Sequence, residues 1–275
     1  MRTVLIQSVR LVPIVLGLLF ALVSQSSAQS SVTSFLYQPE KSAVGTVYHY
    51  VKTNIDGTHP EHISQYVATK DRLEVFKFHP KEEPAAWVFA DMDWRTFSVK
   101  HLESWQTFRD GNRKLIATID YVDAEKAAEV TVVPTGKPAE KTPIGHLPFH
   151  VYNFDFASLN FTFRHLVNPE STFVVGVADP NFKNEGPLFL YKGEVAVSYL
   201  ADESREGIVC RKYRVDGPGL ENRGGLIWVD KKRGHITDME IDLPDNPAWQ
   251  TFKLKLESVE TMSPSEWVHF MKAQF

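Results

Sequence analysis

The fold class follows from the stretch Phe252-Lys253-Leu254-Lys255-Leu256-Glu257. Apolar side chains alternate with charged ones over these six positions, and successive side chains of a β-strand point to opposite faces. One face of this strand is therefore buried and the other meets water. Burial on one face favours antiparallel pairing, because strands of a parallel sheet are buried on both faces and read as continuous apolar runs.

The same alternation recurs along the chain. Met239, Ile241 and Leu243 alternate with acidic residues, and turn signals such as Asp56-Gly57 and Arg233-Gly234 follow at hairpin spacing. Successive strands are therefore expected to be sheet neighbours. We predict strands near 45–55, 62–68, 71–79, 85–92, 97–105, 113–121, 128–134, 172–178, 188–200, 207–215, 225–230, 234–243 and 249–262.

Two stretches favour helix. Ser263-Pro264-Ser265-Glu266 has the residues of a capping box, so a short helix carrying Trp267, Phe270 and Met271 is predicted to follow it. Residues 155–166 carry Phe156, Leu159 and Phe163 at helical spacing behind a possible Asp155 cap, although 160–163 also fit a strand.

The domain organisation is predicted to be a single mostly β domain over residues 29–275. The breaker-rich stretch 134–148 contains three of the chain's glycines and prolines within its first five positions and is expected to be an exposed loop. A linker between two domains is the alternative. One continuous sheet crossed by a loop is preferred, because neither half shows a complete set of caps and core residues.

The N-terminus has the features of an export signal. Arg2 and Arg10 precede the apolar run 11–23, and Ser26-Ser27-Ala28 fits a cleavage site. An uncleaved anchor is the alternative, but the run has 13 residues and a membrane span needs about 20. We predict that residues 1–28 are a signal peptide, that the mature chain has no membrane span, and that it is periplasmic or secreted.

Charge and cysteine content exclude other classes. The chain has 30 basic and 34 acidic residues, so loss of Arg2 and Arg10 leaves 28 minus 34, or −6. A mildly acidic protein without a basic block is not expected to bind nucleic acid. The lone Cys210 cannot form an internal disulfide, so the core must hold the fold together.

Local signatures of enzymes are missing from the sequence. It contains no Gly-x-Ser-x-Gly, no Walker loop, no His-Glu-x-x-His and no Gly-x-Gly-x-x-Gly, and no cofactor is predicted. The nearest metal motif is His59-Pro60-Glu61-His62, but Pro60 excludes a helix there and no third ligand is identifiable. We interpret it as a solvated turn and predict no metal site.

The candidate site lies around Ala90-Asp91-Met92-Asp93-Trp94. Two carboxylates at i and i+2 of a strand share a face, an arrangement that can raise a pKa, or they can simply end the strand and cap its turn. Large aromatic residues surround them in sequence. We predict an apolar cleft whose ligand-binding residues are Trp87, Phe89, Asp91, Asp93, Trp94 and Trp105, with the aspartates at its rim. A register slip of one residue would turn Trp87 and Phe89 to the other face.

The second half of the chain carries a family resemblance. Its strands run through Cys210-Arg211-Lys212-Tyr213-Arg214-Val215, Ile227-Trp228-Val229-Asp230, 236–243 and 252–256. This order resembles that of uncharacterised bacterial periplasmic families similar in fold to the outer-membrane lipoprotein carrier. The resemblance covers mainly residues 188–262. It implies a long antiparallel sheet curved into an open half-barrel, with one or two short helices and an apolar concave face, and it transfers no functional residue.

The leading functional hypothesis is an exported protein that binds an apolar small molecule or a lipid-like ligand against the concave face. The 18 Phe, 9 Tyr and 6 Trp of the chain support an aromatic-lined cleft, although they could also be ordinary core residues. The alternatives are an enzyme whose site is assembled from scattered Asp and His residues, and a structural envelope protein that binds other proteins.

Overall fold

The computed structural model describes residues 32–181, 185–244 and 248–275. Within these residues the chain forms fifteen strands and two α-helices. The strands are β1 (Thr46–Thr53), β2 (Glu61–Val67), β3 (Arg72–Phe78), β4 (Ala85–Asp93), β5 (Ser98–Thr107), β6 (Arg113–Val122), β7 (Ala127–Val132), β8 (Glu140–Pro143), β9 (Phe149–Val151), β10 (Phe173–Pro180), β11 (Phe189–Arg205), β12 (Ile208–Asp216), β13 (Gly225–Asp230), β14 (Ile236–Ile241) and β15 (Phe252–Thr261). The helices are α1 (Ala157–Thr162) and α2 (Pro264–Ala273). The predicted signal peptide at residues 1–28 lies outside the described residues.

All fifteen strands belong to one sheet, in the order β8-β7-β6-β5-β4-β3-β2-β1-β15-β14-β13-β12-β11-β10-β9. Strands that follow one another in the chain are neighbours in the sheet except β8 and β9, which lie at its opposite edges, and at the centre the first strand pairs with the last. Every pairing is antiparallel except that of β9 with β10. The predicted fold class, a mostly β protein with a long antiparallel open sheet and one or two short helices, is confirmed.

The stretch 134–148 differs from a plain loop. Residues 136–139 are exposed, whereas Glu140–Pro143 forms β8 against β7, and Thr142 and His146 are buried. The breaker residues that indicate a loop here lie on either side of a four-residue edge strand, except Pro143, which is its last residue. Such a short strand has too few positions to show alternation, and the same holds for the three-residue β9.

The sheet curls so that its two ends approach each other. The Thr142 hydroxyl donates a 2.9 Å hydrogen bond to the Phe189 carbonyl, and the Glu140 carboxylate accepts one of 2.6 Å from the Leu188 amide. The Phe149 amide, on the other edge strand, donates to the Ser98 hydroxyl at 2.9 Å. Side chains rather than a ladder of main-chain hydrogen bonds join the two ends, so the sheet stays open.

The curled sheet encloses residues 152–166, which follow its edge strand β9, and residues 149–166 together are here called the inner segment. Every residue in it except Asn153 is buried, and its aromatic side chains join the main hydrophobic core. Its polar groups find partners on the surrounding strands. The Asn160 amide nitrogen donates to Gln65 at 2.8 Å and to Tyr50 at 3.1 Å, and its oxygen accepts from the Ile236 amide at 2.7 Å. The inner segment is thus fixed to both halves of the sheet.

Asp155 has a different role from the predicted helix cap. It adopts a left-handed conformation, as does the next residue, Phe156, which is the N-cap position of α1, and no side chain caps that helix. Its carboxylate lies 2.5 Å from the Lys77 ammonium and 3.8 Å from that of Lys52, and all three groups are buried. Burial of the charge against two lysines, not capping, therefore accounts for an aspartate within this apolar stretch.

The outer face of the sheet carries a smaller hydrophobic cluster under α2. The predicted capping box is present, because the Ser263 hydroxyl accepts from the Glu266 amide and the Glu266 carboxylate accepts from the Ser263 amide. Trp267 is 2% exposed and stacks on Tyr66 at 4.9 Å between ring centres. No helix in the described part of the chain is long and apolar enough to cross a bilayer.

Replacing this anchor, in Trp267→Ala, should lower the free energy of unfolding by about 3 kcal/mol, as expected for truncation of a buried aromatic residue. The substitution also leaves the Glu74 carboxylate without the 2.7 Å hydrogen bond from the indole nitrogen. Urea denaturation measures the change. The matched control is Val268→Ala, the exposed neighbour, which should stay within about 0.5 kcal/mol of the parent protein. Equal effects of the two changes would mean that α2 is undocked in solution.

Candidate functional site

An apolar cavity of about 420 Å³ lies between the inner face of β4–β7 and the beginning of the inner segment. Ten of its fifteen lining residues are apolar. They are Val88, Leu102, Ile116, Ala117, Ile119, Val132, Val151, Phe154, Pro180 and Leu188. The volume falls within the range of small-molecule sites, about 300–1,000 Å³. We call it the inner cavity.

Strand periodicity builds the floor of the inner cavity. Val88 on β4 pairs with Ser104 on β5, which pairs with Ala117 on β6, and these residues share the inner face. A bulge on β6 inserts Ile116 between the residues that oppose Ser104 and Trp105. The small side chain of Ala117 leaves space at the centre of the floor.

Polar groups surround the mouth of the cavity. Thr135 and Lys137 are exposed at one side, and the Lys137 amide donates to the Thr135 hydroxyl at 3.2 Å. No carboxylate of the described residues forms an ion pair with the Lys137 ammonium. The mouth therefore presents one unneutralised positive charge beside an apolar interior.

The predicted aromatic residues Trp87, Phe89 and Trp105 lie together, but on the outer face of the sheet. Val88, Ala90 and Met92 of β4 enter the main core, so the alternating Trp87 and Phe89 point away from it. Trp87 pairs directly with Trp105 on β5, and the rings of Trp87 and Phe89 are 5.3 Å apart. The alternation that identifies β4 does not say which of its two faces points into the core. In this structure the face with the smaller side chains points inward.

Trp94 does not join them. It follows β4, about 23 Å from Trp87 along an extended chain, and stacks on Tyr37 with 5.1 Å between ring centres. Its indole nitrogen donates to the Lys70 carbonyl at 2.9 Å. Trp94 therefore packs at one end of the sheet.

The two aspartates of the predicted site are paired with arginines. Arg72 donates to both oxygens of Asp91, at 2.7 and 2.9 Å, and Arg95 donates to both oxygens of Asp93, at 3.1 and 2.6 Å. These hydrogen bonds hold the pKa of each carboxyl below its usual range. Neither carboxylate is therefore prepared to accept a proton near neutral pH.

An outer groove of about 530 Å³ separates Trp87 from α2. The indole nitrogens of Trp87 and Trp267 both donate to one oxygen of Glu74, at 3.0 and 2.7 Å. The Arg113 guanidinium lies 5.1 Å from the centre of the Trp87 ring. This groove holds one of the predicted ligand-binding residues and is the second place where a ligand would meet aromatic side chains.

The titratable groups near the predicted site form a closed network. His101 bonds Asp120 at 2.7 Å through Nδ1 and Glu103 at 3.2 Å through Nε2. Although partial burial disfavours the charged ring, the two carboxylates raise the pKa of His101. Both ring nitrogens of His101 are thus already engaged by carboxylates.

His59 and His62, which the sequence places at a turn, contact different neighbours. His59 lies beside Trp249, with ring centres 6.4 Å apart, whereas His62 stacks on Phe78 at 5.3 Å and faces Glu257 at 3.8 Å. In residues 32–181, 185–244 and 248–275, no three His, Cys, Asp or Glu side chains are arranged to hold a metal ion.

The residues of the inner cavity are absent from the sequence prediction, which followed large aromatics and paired acids. Most of its apolar lining comes from individual aliphatic residues of the four consecutive strands β4–β7, and each of these looks like ordinary core in the sequence. One weak feature of the sequence could have indicated the cavity: Ala117 is a small residue among the larger apolar residues of β6.

Three of the solved structures that match the chain each have low sequence identity to it. The chain is similar to a β-barrel-like protein with a domain of unknown function, DUF1849, from Brucella abortus (8% identity, 80% of this chain and 98% of that one, TM-score 0.40). It is also similar to a putative outer membrane lipoprotein-sorting protein domain from Vibrio parahaemolyticus (8% identity, 82% of this chain and 91% of that one, TM-score 0.23). A DUF1329 family protein from Desulfovibrio piger is similar as well (9% identity, 81% of this chain and 88% of that one, TM-score 0.22).

No protein-family model and no curated protein matches the chain. The low identities and TM-scores of the structural matches carry no residue role to this protein. The long, open, mostly antiparallel sheet that the resemblance to lipoprotein-carrier proteins implies is present in the described residues.

Proposed function

We propose that the protein binds an apolar, lipid-like molecule, with its hydrocarbon part in the inner cavity. The proposal rests on one observation: a space of about 420 Å³ on the concave side of the sheet is lined mainly by aliphatic side chains. Transfer of hydrocarbon from water to such a lining is favourable by about 25 cal/mol for each Å² of apolar surface buried. The ligand is therefore a chain or small ring system without polar groups in its buried part.

The Lys137 ammonium at the mouth favours an anionic end on that ligand. It is exposed and unpaired among the described residues, so it is available to a carboxylate that remains in water. The polar side chains of Thr135 and Asn153 also line the cavity and offer further hydrogen bonds. A fatty acid fits this division between apolar interior and cationic mouth.

The proposal includes export of the protein. The succession of Arg2, Arg10, the apolar run 11–23 and Ser26-Ser27-Ala28 supports cleavage after Ala28 and a periplasmic or secreted mature chain. A lipid-binding protein in an aqueous compartment between or outside membranes would shield hydrocarbon from water, as the inner cavity does.

Titration with a fluorescent fatty-acid analogue tests the site. Ala117→Trp fills the floor of the inner cavity and should weaken binding at least about tenfold, because the indole takes the volume that the chain needs. Thr118→Trp is the matched control, since it places the same side chain on the outer face of β6 and should leave binding unchanged. Lys137→Gln should weaken binding only by the small amount typical of an exposed ion pair, about 0.2–1 kcal/mol.

The outer groove is the rival location, and Trp87 is the one residue predicted from the sequence that lines it. Trp87→Ala would weaken binding if the ligand lay there, Trp105→Ala tests the residue paired with Trp87 on β5, and Trp94→Ala reports on the far end of β4. Sensitivity to the outer-face variants with an indifferent Ala117→Trp would move the site to the groove. Absence of saturable binding would leave a structural envelope protein, or an enzyme with a scattered site, as the better account.

A further inference from the structure

A cleft of about 460 Å³ lies where the turn between β13 and β14 meets the end of the inner segment. Its lining is rich in positive groups. Lys41, Arg164, Arg233 and His235 contribute to it, and Glu260 is its one carboxylate. We call it the cationic cleft.

Arg164 is the central group of the cationic cleft. It is 7% exposed, and its Nε and Nη2 atoms are buried without a hydrogen-bond partner. Its guanidinium carbon lies 4.8 Å from the centre of the Tyr48 ring and 4.7 Å from that of Phe161. Within the described residues no carboxylate pairs with it. Contact with the two rings stabilises the cation, but it satisfies none of its N–H donors.

His235 supplies a second unsatisfied group. It is 1% exposed, and its Nδ1 atom has no hydrogen-bond partner. Burial and the neighbouring Arg164 lower the pKa of His235 to about 4, so the ring is neutral at pH 7. One nitrogen of a neutral ring carries a proton, and Nδ1 is able to donate it in one tautomer.

The turn holds these groups in place. The Asp230 carboxylate accepts from the amides of Lys232 and Arg233, both at 2.7 Å, and the Asp230 amide donates to the His235 carbonyl at 2.8 Å. Gly234 has a φ of +71°, and a β-carbon there would lie 3.1 Å from Cγ of Arg164. The turn therefore lies directly on Arg164, and a side chain at position 234 would be both strained and crowded against it.

The rim of the cleft adds two more cations. The Lys41 ammonium donates to the main-chain carbonyl of Arg164 at 2.9 Å, and the Arg233 side chain is exposed and forms no ion pair with a described residue. Three permanent positive charges thus face one exposed glutamate. Buried charges in proteins are normally paired, so this arrangement is incomplete without an anion.

We propose that the cationic cleft binds a phosphate group, with two of its oxygens on the Arg164 guanidinium. Guanidinium groups bind phosphate through two parallel hydrogen bonds, and Lys41, Arg233 and His235 surround the remaining oxygens. The phosphate is either a free ion or the head of a phospholipid, since both present the same oxygens. This site is separate from the inner cavity, and the proposal does not depend on fatty-acid binding there.

Calorimetric titration of the whole protein with inorganic phosphate tests the site. Arg164→Lys keeps the positive charge but cannot form the bidentate hydrogen bonds of a guanidinium, so it should weaken phosphate binding about tenfold or more. Arg233→Gln changes an exposed side chain that the fold does not need, and it should also weaken binding. Glu260→Gln removes the opposing charge and should strengthen binding.

Arg95→Gln is the matched control, because it removes an exposed arginine whose partner is Asp93 and should leave phosphate binding unchanged. Vesicles of phosphatidylcholine with and without phosphatidic acid distinguish the sources of phosphate. Binding to phosphatidic-acid vesicles that inorganic phosphate competes away assigns the site to a lipid head, and binding to inorganic phosphate alone assigns it to the free ion. The proposal is overturned if neither probe binds, or if binding is unchanged in both Arg164→Lys and Arg233→Gln.

Discussion

Asp155→Asn should lower the free energy of unfolding by about 3–5 kcal/mol, the range found when one partner of a buried ion pair is removed. The side chain keeps its shape, but the ammonium groups of Lys77 and Lys52 lose the carboxylate that lies 2.5 and 3.8 Å away. Burial raises the pKa of Asp155, and the two ammonium groups oppose that shift and favour the carboxylate. Urea denaturation at pH 7 measures the loss.

The control and the rescue separate this ion pair from general damage. Asp202→Asn removes the partner of Lys231 at the surface and should cost at most about 1 kcal/mol. Adding Lys77→Met to Asp155→Asn removes one of the stranded charges, so the double variant should be more stable than Asp155→Asn alone. Equal losses for the two Asp→Asn variants would show that the buried ion pair does not stabilise the fold.

Stability should fall steeply as the pH drops from about 6.5 toward 4. Burial lowers the pKa of His150 to about 3 and of His165 and His235 to about 4. Unfolded histidines titrate near 6.5, so below that pH the unfolded chain binds more protons than the folded one and is favoured. Above pH 6.5 both states carry neutral rings and this contribution to stability is complete.

The size of the effect follows from three such groups. Each contributes at most about 1.4 kcal/mol per pH unit, so the three together should remove about 3 kcal/mol between pH 6.5 and 5.5. Urea midpoints measured across this range give the slope.

One replacement identifies the responsible groups. In His165→Gln the ring that accepts a 3.2 Å hydrogen bond from the Gln38 amide is gone, and the pH profile should be flatter than that of the parent protein. His269→Gln changes an exposed imidazole on α2 and should leave the slope as it was. A parent profile that is flat from pH 6.5 to 5 would contradict the argument.

Much of the sheet was predictable from the sequence, because a long strand buried on one face has apolar and polar residues in alternation. The stretch 252–257 and its partner 239–243 are sheet neighbours as their matching patterns indicate. The capping box before α2 was equally visible, since its four residues are consecutive. The two edge strands, β8 and β9, were not, because each is too short to show a period.

The candidate site was harder to predict for a physical reason. Alternation in β4 separates Trp87 and Phe89 from Val88 and Ala90, but the choice of inner face depends on strands far away in the sequence. The inner segment fills the concave side, so the space left there suits small aliphatic residues rather than indoles. The large aromatics instead cover the outer face beside α2. Asp155 and Arg164 likewise acquire their surroundings only when both halves of the sheet close around them.

The pairing of β1 with β15 bears on how the chain reaches this structure. Thr46 lies opposite Thr261, so this ladder closes a loop of nearly the whole described chain, whereas most other ladders join successive strands. Closing so long a loop costs more entropy than closing a hairpin and slows folding. Each half of the sheet can form first, because its strands pair with their neighbours in the chain. Until β1 pairs with β15, both are unpaired edge strands, and two copies of a chain can pair with each other through such edges instead.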